Sequence, residues 1–216
     1  MLTLLHSACL ILISVAISQS SVREWFPIFR LYVAAAVISD IVWILSSASR
    51  SYWIVVPVLL LLHVASCCEA VFRLYSTLAI TAQRRTRWRF SICIAVSMGA
   101  AALVADNTIN MPTALFRAEL AVFCASAGMI AGAFLLVFAW RTMHLYRIVV
   151  AHSALLLINN VVSIWGLMPY SRWDDKDMDV RAVKIAVLVS WMFIFWQGIR
   201  WQREVFWADR PVIFPR

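Results

Sequence analysis

His63, Ser66, Glu69 and Arg73 interrupt the apolar stretch LLLLHVASCCEAVFRLY (59–75). On a helix they fall within about a third of the circumference, a polar stripe on an otherwise lipid-soluble surface. Glu69 precedes Arg73 by one turn, the favourable order for an ion pair along the helix. An ionisable group in hydrocarbon costs at least about 2.5 kcal/mol, which makes this stripe the first place to look for function. Two uses follow from its chemistry. A carboxylate facing an imidazole in a wet cavity can hold a cation or pass a proton. Polar side chains on facing helices also serve as interhelical hydrogen bonds, worth ~0.6 kcal/mol each on average.

A second set of polar residues can complete that stripe. His152, Asn159 and Ser163 share one narrow face of a later helix, with Asn160 close beside it, and His152 is the expected partner of Glu69. A third set, Asp40, Glu119 and Lys184, falls nearer the opposite membrane face, with Ser47 on the same side of the helix as Asp40. The expectation is two polar clusters at different depths: an inner one of His63, Ser66, Glu69, Arg73, His152, Asn159 and Ser163, and an outer one of Asp40, Glu119 and Lys184.

These residues need helices to hold them, and composition supplies the class. The chain of 216 residues is 63% hydrophobic, 14% charged and carries 11 Trp, with a mean hydropathy of +0.84. Soluble domains do not have this balance. Crossing a bilayer takes roughly 20 apolar residues. Runs of about that length fall near 2–19, 28–47, 52–74, 90–106, 118–140, 145–168 and 181–200. They are continuous rather than alternating, which predicts an all-α, polytopic seven-transmembrane-helix bundle in one unit and not a barrel.

Charge orients the expected bundle. One side collects 13 of the 19 Lys and Arg, including Arg84, Arg85, Arg87 and Arg89 in the segment QRRTRWR (83–89). The positive-inside rule then places the N-terminus outside and the C-terminus in the cytoplasm. The outer side receives the acidic connection DDKDMD (174–179). The net charge of +8 reads as topology, with the basic loop touching anionic lipid or a partner and not nucleic acid. The first run lacks a basic leader region and is expected to stay as a helix. The last stretch, WQGIRWQREVFWADRPVIFPR (196–216), is expected to leave the membrane as an interfacial helix anchored by Trp201 and Trp207 and ended by Pro211.

Other chemistries find no foothold. Cys9, Cys67, Cys68, Cys93 and Cys124 all fall inside expected helices, and their odd number and spacing fit neither a disulfide framework nor a zinc site. Hydrolase, zincin and nucleotide-binding motifs are absent, so no metal or cofactor is expected. A retinal-binding lysine at Lys184 would call for an Asp four residues earlier, where Val180 stands. Gly128 and Gly132 form a GxxxG pattern that brings helix backbones together, within the bundle or between two copies of the chain.

The segments FPIFRLY (26–32), SYW (51–53) and EAVFRLYSTL (69–78) resemble a group of uncharacterised small bacterial membrane proteins of seven helices, with FPxFxxY, YW and ExFRxxxxxL elements at similar spacing. The resemblance covers the first three helices. It implies a family role for Glu69 and Arg73 at the inner end of the third helix and a bacterial inner-membrane location, and it carries no activity. The functional expectation is a non-catalytic sensor or an assembly subunit of a membrane complex acting through its basic segment. The alternative is a transporter or channel for a small solute or ion using the polar stripes.

Overall fold

A computed structural model of the protein describes residues 2–19, 24–45, 49–78, 80–107, 114–138, 147–167 and 173–208. Among them stand seven helices: α1 (Leu2–Gln19), α2 (Pro27–Leu45), α3 (Ser49–Ser76), α4 (Ile80–Asn107), α5 (Ala114–Phe138), α6 (Arg147–Leu167) and α7 (Trp173–Ala208). Ser47 and Pro211 lie outside the described residues, as do the side chains of Trp201 and Trp207.

Contacts between successive helices draw a closed ring in the order α1, α2, α3, α5, α6, α7 and back to α1, with α3 also reaching α6 across the interior. Helix α4 is the exception, docked against α5 on the outside of the ring. The ring interior is filled by Ile13, Ile17, Phe26, Phe29, Leu74, Ile130, Ile148, Leu156 and Phe195, all fully buried. Many large apolar side chains point outward instead, Ile54, Leu61 and Phe72 on α3 and Ile92, Val96 and Met98 on α4 among them. Such a surface suits contact with hydrocarbon.

The expectation of seven membrane crossings is corrected. Among the described residues three helices are long and apolar enough to cross a bilayer, over Ile54–Ser76, Leu115–Val137 and Arg147–Leu167, and α1 offers a shorter apolar stretch at Leu5–Ser18. The physical reasons lie in the other elements. Helix α2 has 19 residues and carries Arg30 and Asp40. Helix α4 spends its first turns on four arginines, and α7 begins with the acidic stretch 174–179, which is helical and not a connection. An outside N-terminus and a cytoplasmic C-terminus rest on seven crossings and fall with them.

The basic segment 83–89 is likewise no loop but the start of α4. Helix α3 ends at Ser76, and the Ser76 and Thr77 hydroxyls donate to the carbonyls of Arg73 and Leu74 at 2.7 and 2.6 Å. Gln83 folds back, its Nε2 donating to the Leu78 carbonyl at 2.9 Å while its own carbonyl accepts the Tyr75 hydroxyl at 2.7 Å. With these end carbonyls satisfied, the chain reverses at once, and a run of good helix formers free of Gly and Pro continues as helix.

Candidate functional site: the buried polar groups between helices

Phe26 precedes α2 and its carbonyl accepts the Arg30 N–H at 3.1 Å, which makes it the N-cap residue, followed by Pro27 at the first helical position. A phenylalanine side chain cannot cap. Glu69 of α3 does so from across the bundle: its Oε1 accepts the N–H of Ile28 at 3.2 Å and its Oε2 that of Phe29 at 3.0 Å. A carboxylate here satisfies two orphan donors and sits at the positive end of the α2 dipole. The Glu69 carboxylate is thus bonded to backbone donors of α2, with Arg73, its expected partner, near enough for its charge to act on it. Arg73 sends Nη2 to the Glu24 carbonyl at 3.3 Å, in the turn just before α2, so both residues of the third-helix motif hold the entrance to α2.

One turn and a half earlier on α3, His63 Nε2 lies 2.8 Å from Asn160 Oδ1 of α6. An amide oxygen only accepts, so Nε2 carries the proton. Asn160 Nδ2 in turn donates to the Leu156 carbonyl at 2.8 Å and approaches Cys67 Sγ at 3.8 Å. Cys67 Sγ also lies 3.6 Å from His63 Nε2. This node pins α3 to α6, and Tyr32 and Phe123 flank the imidazole. Asn159, chosen from the sequence, is only half-buried; the α6 face that meets α3 belongs to its neighbour Asn160. Ser66 and Ser163 are buried beside these helices' contacts, and Ser66 Oγ has no hydrogen-bond partner among the described residues.

His152 does not meet a carboxylate. It is fully buried in a box of aromatic rings, with centroids of Phe26 and Phe29 at 4.3 and 4.5 Å, Phe195 at 5.8 Å and Trp191 at 6.2 Å. Neither of its ring nitrogens, nor Trp191 Nε1, has a hydrogen-bond partner among the described residues. Phe29 links the two sites, meeting His152 edge-on with its ring at an interplanar angle of 71° while its N–H reaches Glu69.

The three outer residues are dispersed over three helices. Asp40 Oδ2 accepts from His6 Nδ1 at 3.0 Å and from Ser7 Oγ at 2.8 Å, tying α2 to α1. Glu119 and Lys184 are half-buried on α5 and α7, and Lys184 lies close enough to His63 for its charge to act on that imidazole. The sequence reading missed His6, Ser7 and the aromatic box. His6 was legible as the lone basic residue of α1; the box was not, because its four rings come from two segments more than a hundred residues apart.

The remaining features are also placed. Arg84, Arg85, Arg87 and Arg89 are exposed on the first turns of α4, with Arg89 over the Trp88 ring at 5.6 Å. The GxxxG face of α5 is covered by α4: a Cβ on Gly132 would stand 1.8 Å from Cys93 Sγ, and one on Gly128 2.9 Å from Ser97 Oγ. Its small residues serve packing inside this chain, which leaves no reason to invoke a second copy there. All five cysteines are free. Among the described residues no three His, Cys, Asp or Glu side chains gather as metal ligands.

No protein-family model, curated protein or solved structure matches this chain.

Proposed function

We propose that the protein is a non-catalytic component of a bacterial inner membrane, a small sensor or an assembly subunit of a membrane complex, that meets its partner through the basic start of α4. The observation that carries this reading is the division of labour among its polar groups. Glu69 is spent capping α2, Asn160 holds His63, and Asp40 is held by α1. Among the described residues the densest exposed charge is instead at the start of α4, outside the ring, where Arg84, Arg85, Arg87 and Arg89 follow one another within six residues.

Gentle purification from the native membrane, with quantitative mass spectrometry of what accompanies the chain, tests the reading. A stoichiometric partner that is lost when Arg84 and Arg85 are changed to Glu supports it. A chain that emerges alone and carries solute or ion flux in liposomes overturns it.

A further inference from the structure

Helix α4 packs on α5 and leaves a cleft between itself and α3, of about 260 Å³. One wall is Cys68, Val71, Phe72 and Tyr75 of α3, spaced as a single helical face. The other is Arg87, Phe90, Ser91 and Ile94 of α4, spaced in the same way, and Met129 of α5 closes the floor. The two helices are antiparallel neighbours in sequence, so the cleft is graded along its length. Tyr75, Arg87 and Ser91 lie at the α3–α4 reversal, whereas Cys68, Ile94 and Met129 lie deeper, with about 10 Å of rise between Cys68 and Tyr75.

We infer that this cleft binds one acyl chain of an anionic phospholipid, with the phosphate held by Arg87. The inference rests on the chain's being embedded in a membrane and not on the identity of any protein partner. Three observations favour this occupant. The lining is apolar except at the reversal, where a guanidinium offers paired donors of the kind that suit a phosphate. Trp88, 59% exposed, and Arg89 over its ring mark the same end as headgroup level, where amphipathic aromatic and basic side chains settle. Phe72, 63% exposed at the cleft's edge, is continuous with the outward apolar surface of both helices, so a chain lying there enters sideways from hydrocarbon. The GxxxG pattern of α5 is part of the same construction, because it draws α4 onto α5 and sets the cleft's width.

Native mass spectrometry of the whole chain released from detergent, after exchange with phosphatidylglycerol or phosphatidylcholine of identical acyl chains, tests the site. One phosphatidylglycerol should be retained in preference to phosphatidylcholine. Arg87→Gln should lower its retention about fivefold, the share expected of one basic residue at a membrane surface, with helicity unchanged. Ser91→Phe, an exposed substitution that fills the mouth of the cleft, should lower retention of both lipids, and Arg84→Gln should matter less than Arg87→Gln. Inorganic phosphate should not compete. Equal retention of the two lipids, competition by free phosphate, or indifference to both Arg87→Gln and Ser91→Phe would overturn the proposal.

Discussion

Glu69 Oε2 lies 3.0 Å from the backbone N of Phe29, so a side chain of α3 caps the first turn of α2 across the bundle. The sequence next to α2 cannot do this itself, because Phe26 occupies the cap position and its ring is committed to the box around His152. Local capping has been exchanged for a tertiary contact. The start of α2 is then stable only while α3 is in place, which couples the fold of the first helices to one carboxylate.

Replacing Glu69 should therefore show as a stability loss graded by what remains of the cap. Glu69→Gln keeps one acceptor and loses the charge, whereas Glu69→Ala leaves the buried Phe29 N–H and the part-buried Ile28 N–H without this partner. The expected losses are about 1 and about 2 kcal/mol. Thermal unfolding in lipid nanodiscs, read by circular dichroism, should rank native, then Gln, then Ala. An Arg73→Gln change should cost less than either, since its bond to the Glu24 carbonyl is long and exposed. The reverse ranking would restore the ion-pair reading of these residues.

The His63–Asn160 contact makes a second, separable claim. Changing both residues singly and together to Ala should give a coupling energy of ~0.6 to 1.7 kcal/mol, the range of interhelical hydrogen bonds in membrane bundles. Asn159→Ala should show no coupling to His63. A double-mutant cycle in the same nanodisc assay decides between the two asparagines.

How much of this was legible follows from which physical rule each feature obeys. The seven helices could be read from apolar runs, and the polar stripe on α3 from helical spacing, because both are periodic along the chain. Glu69 was found because a buried carboxylate needs a partner; Arg73 is near it, but its hydrogen bonds go to the backbone of α2. Pro27 at the first helical position is a start signal for α2 and so for free donors at Ile28 and Phe29, but no side-chain pattern shows that Glu69, some forty residues on, is what reaches them. Asn160 was passed over for Asn159 because adjacent residues point about 100° apart around a helix, and spacing alone does not say which of the two directions on α6 meets α3. The basic stretch 83–89 looked like a loop by charge, and is the start of α4 because Gln83, Ser76 and Thr77 close the turn between α3 and α4.

Close approach of α4 and α5 can be tested at Gly132. Gly132→Ala places a methyl on Cys93 Sγ, which can swing aside, so the cost should be modest, about 1 kcal/mol. Cys93→Ala in the same chain should recover most of it. Gly132→Leu has no such escape and should part the helices, so that a maleimide reagent labels Cys93, followed at that residue by peptide mass spectrometry because Cys68 is also free and exposed, faster than in the native protein. Dimerisation measured by analytical ultracentrifugation in detergent should be the same in all of these variants, because the glycine face is covered within the chain.

His152 provides the sharpest test of what the bundle interior is for. A buried imidazole whose two nitrogens find no partner among the described residues bears the desolvation cost of both, a cost that an apolar replacement of similar shape removes. In a box of Phe26, Phe29, Trp191 and Phe195, a structural residue at this position would be better as Phe or Leu. His152→Phe and His152→Leu should thus leave the unfolding temperature unchanged or raise it by a few degrees, while lipid retention at the α3–α4 cleft stays native. A clear fall in stability in both variants would mean that the imidazole gains hydrogen bonds the packing alone does not supply, and would make the box, not the basic helix, the place to look for a ligand.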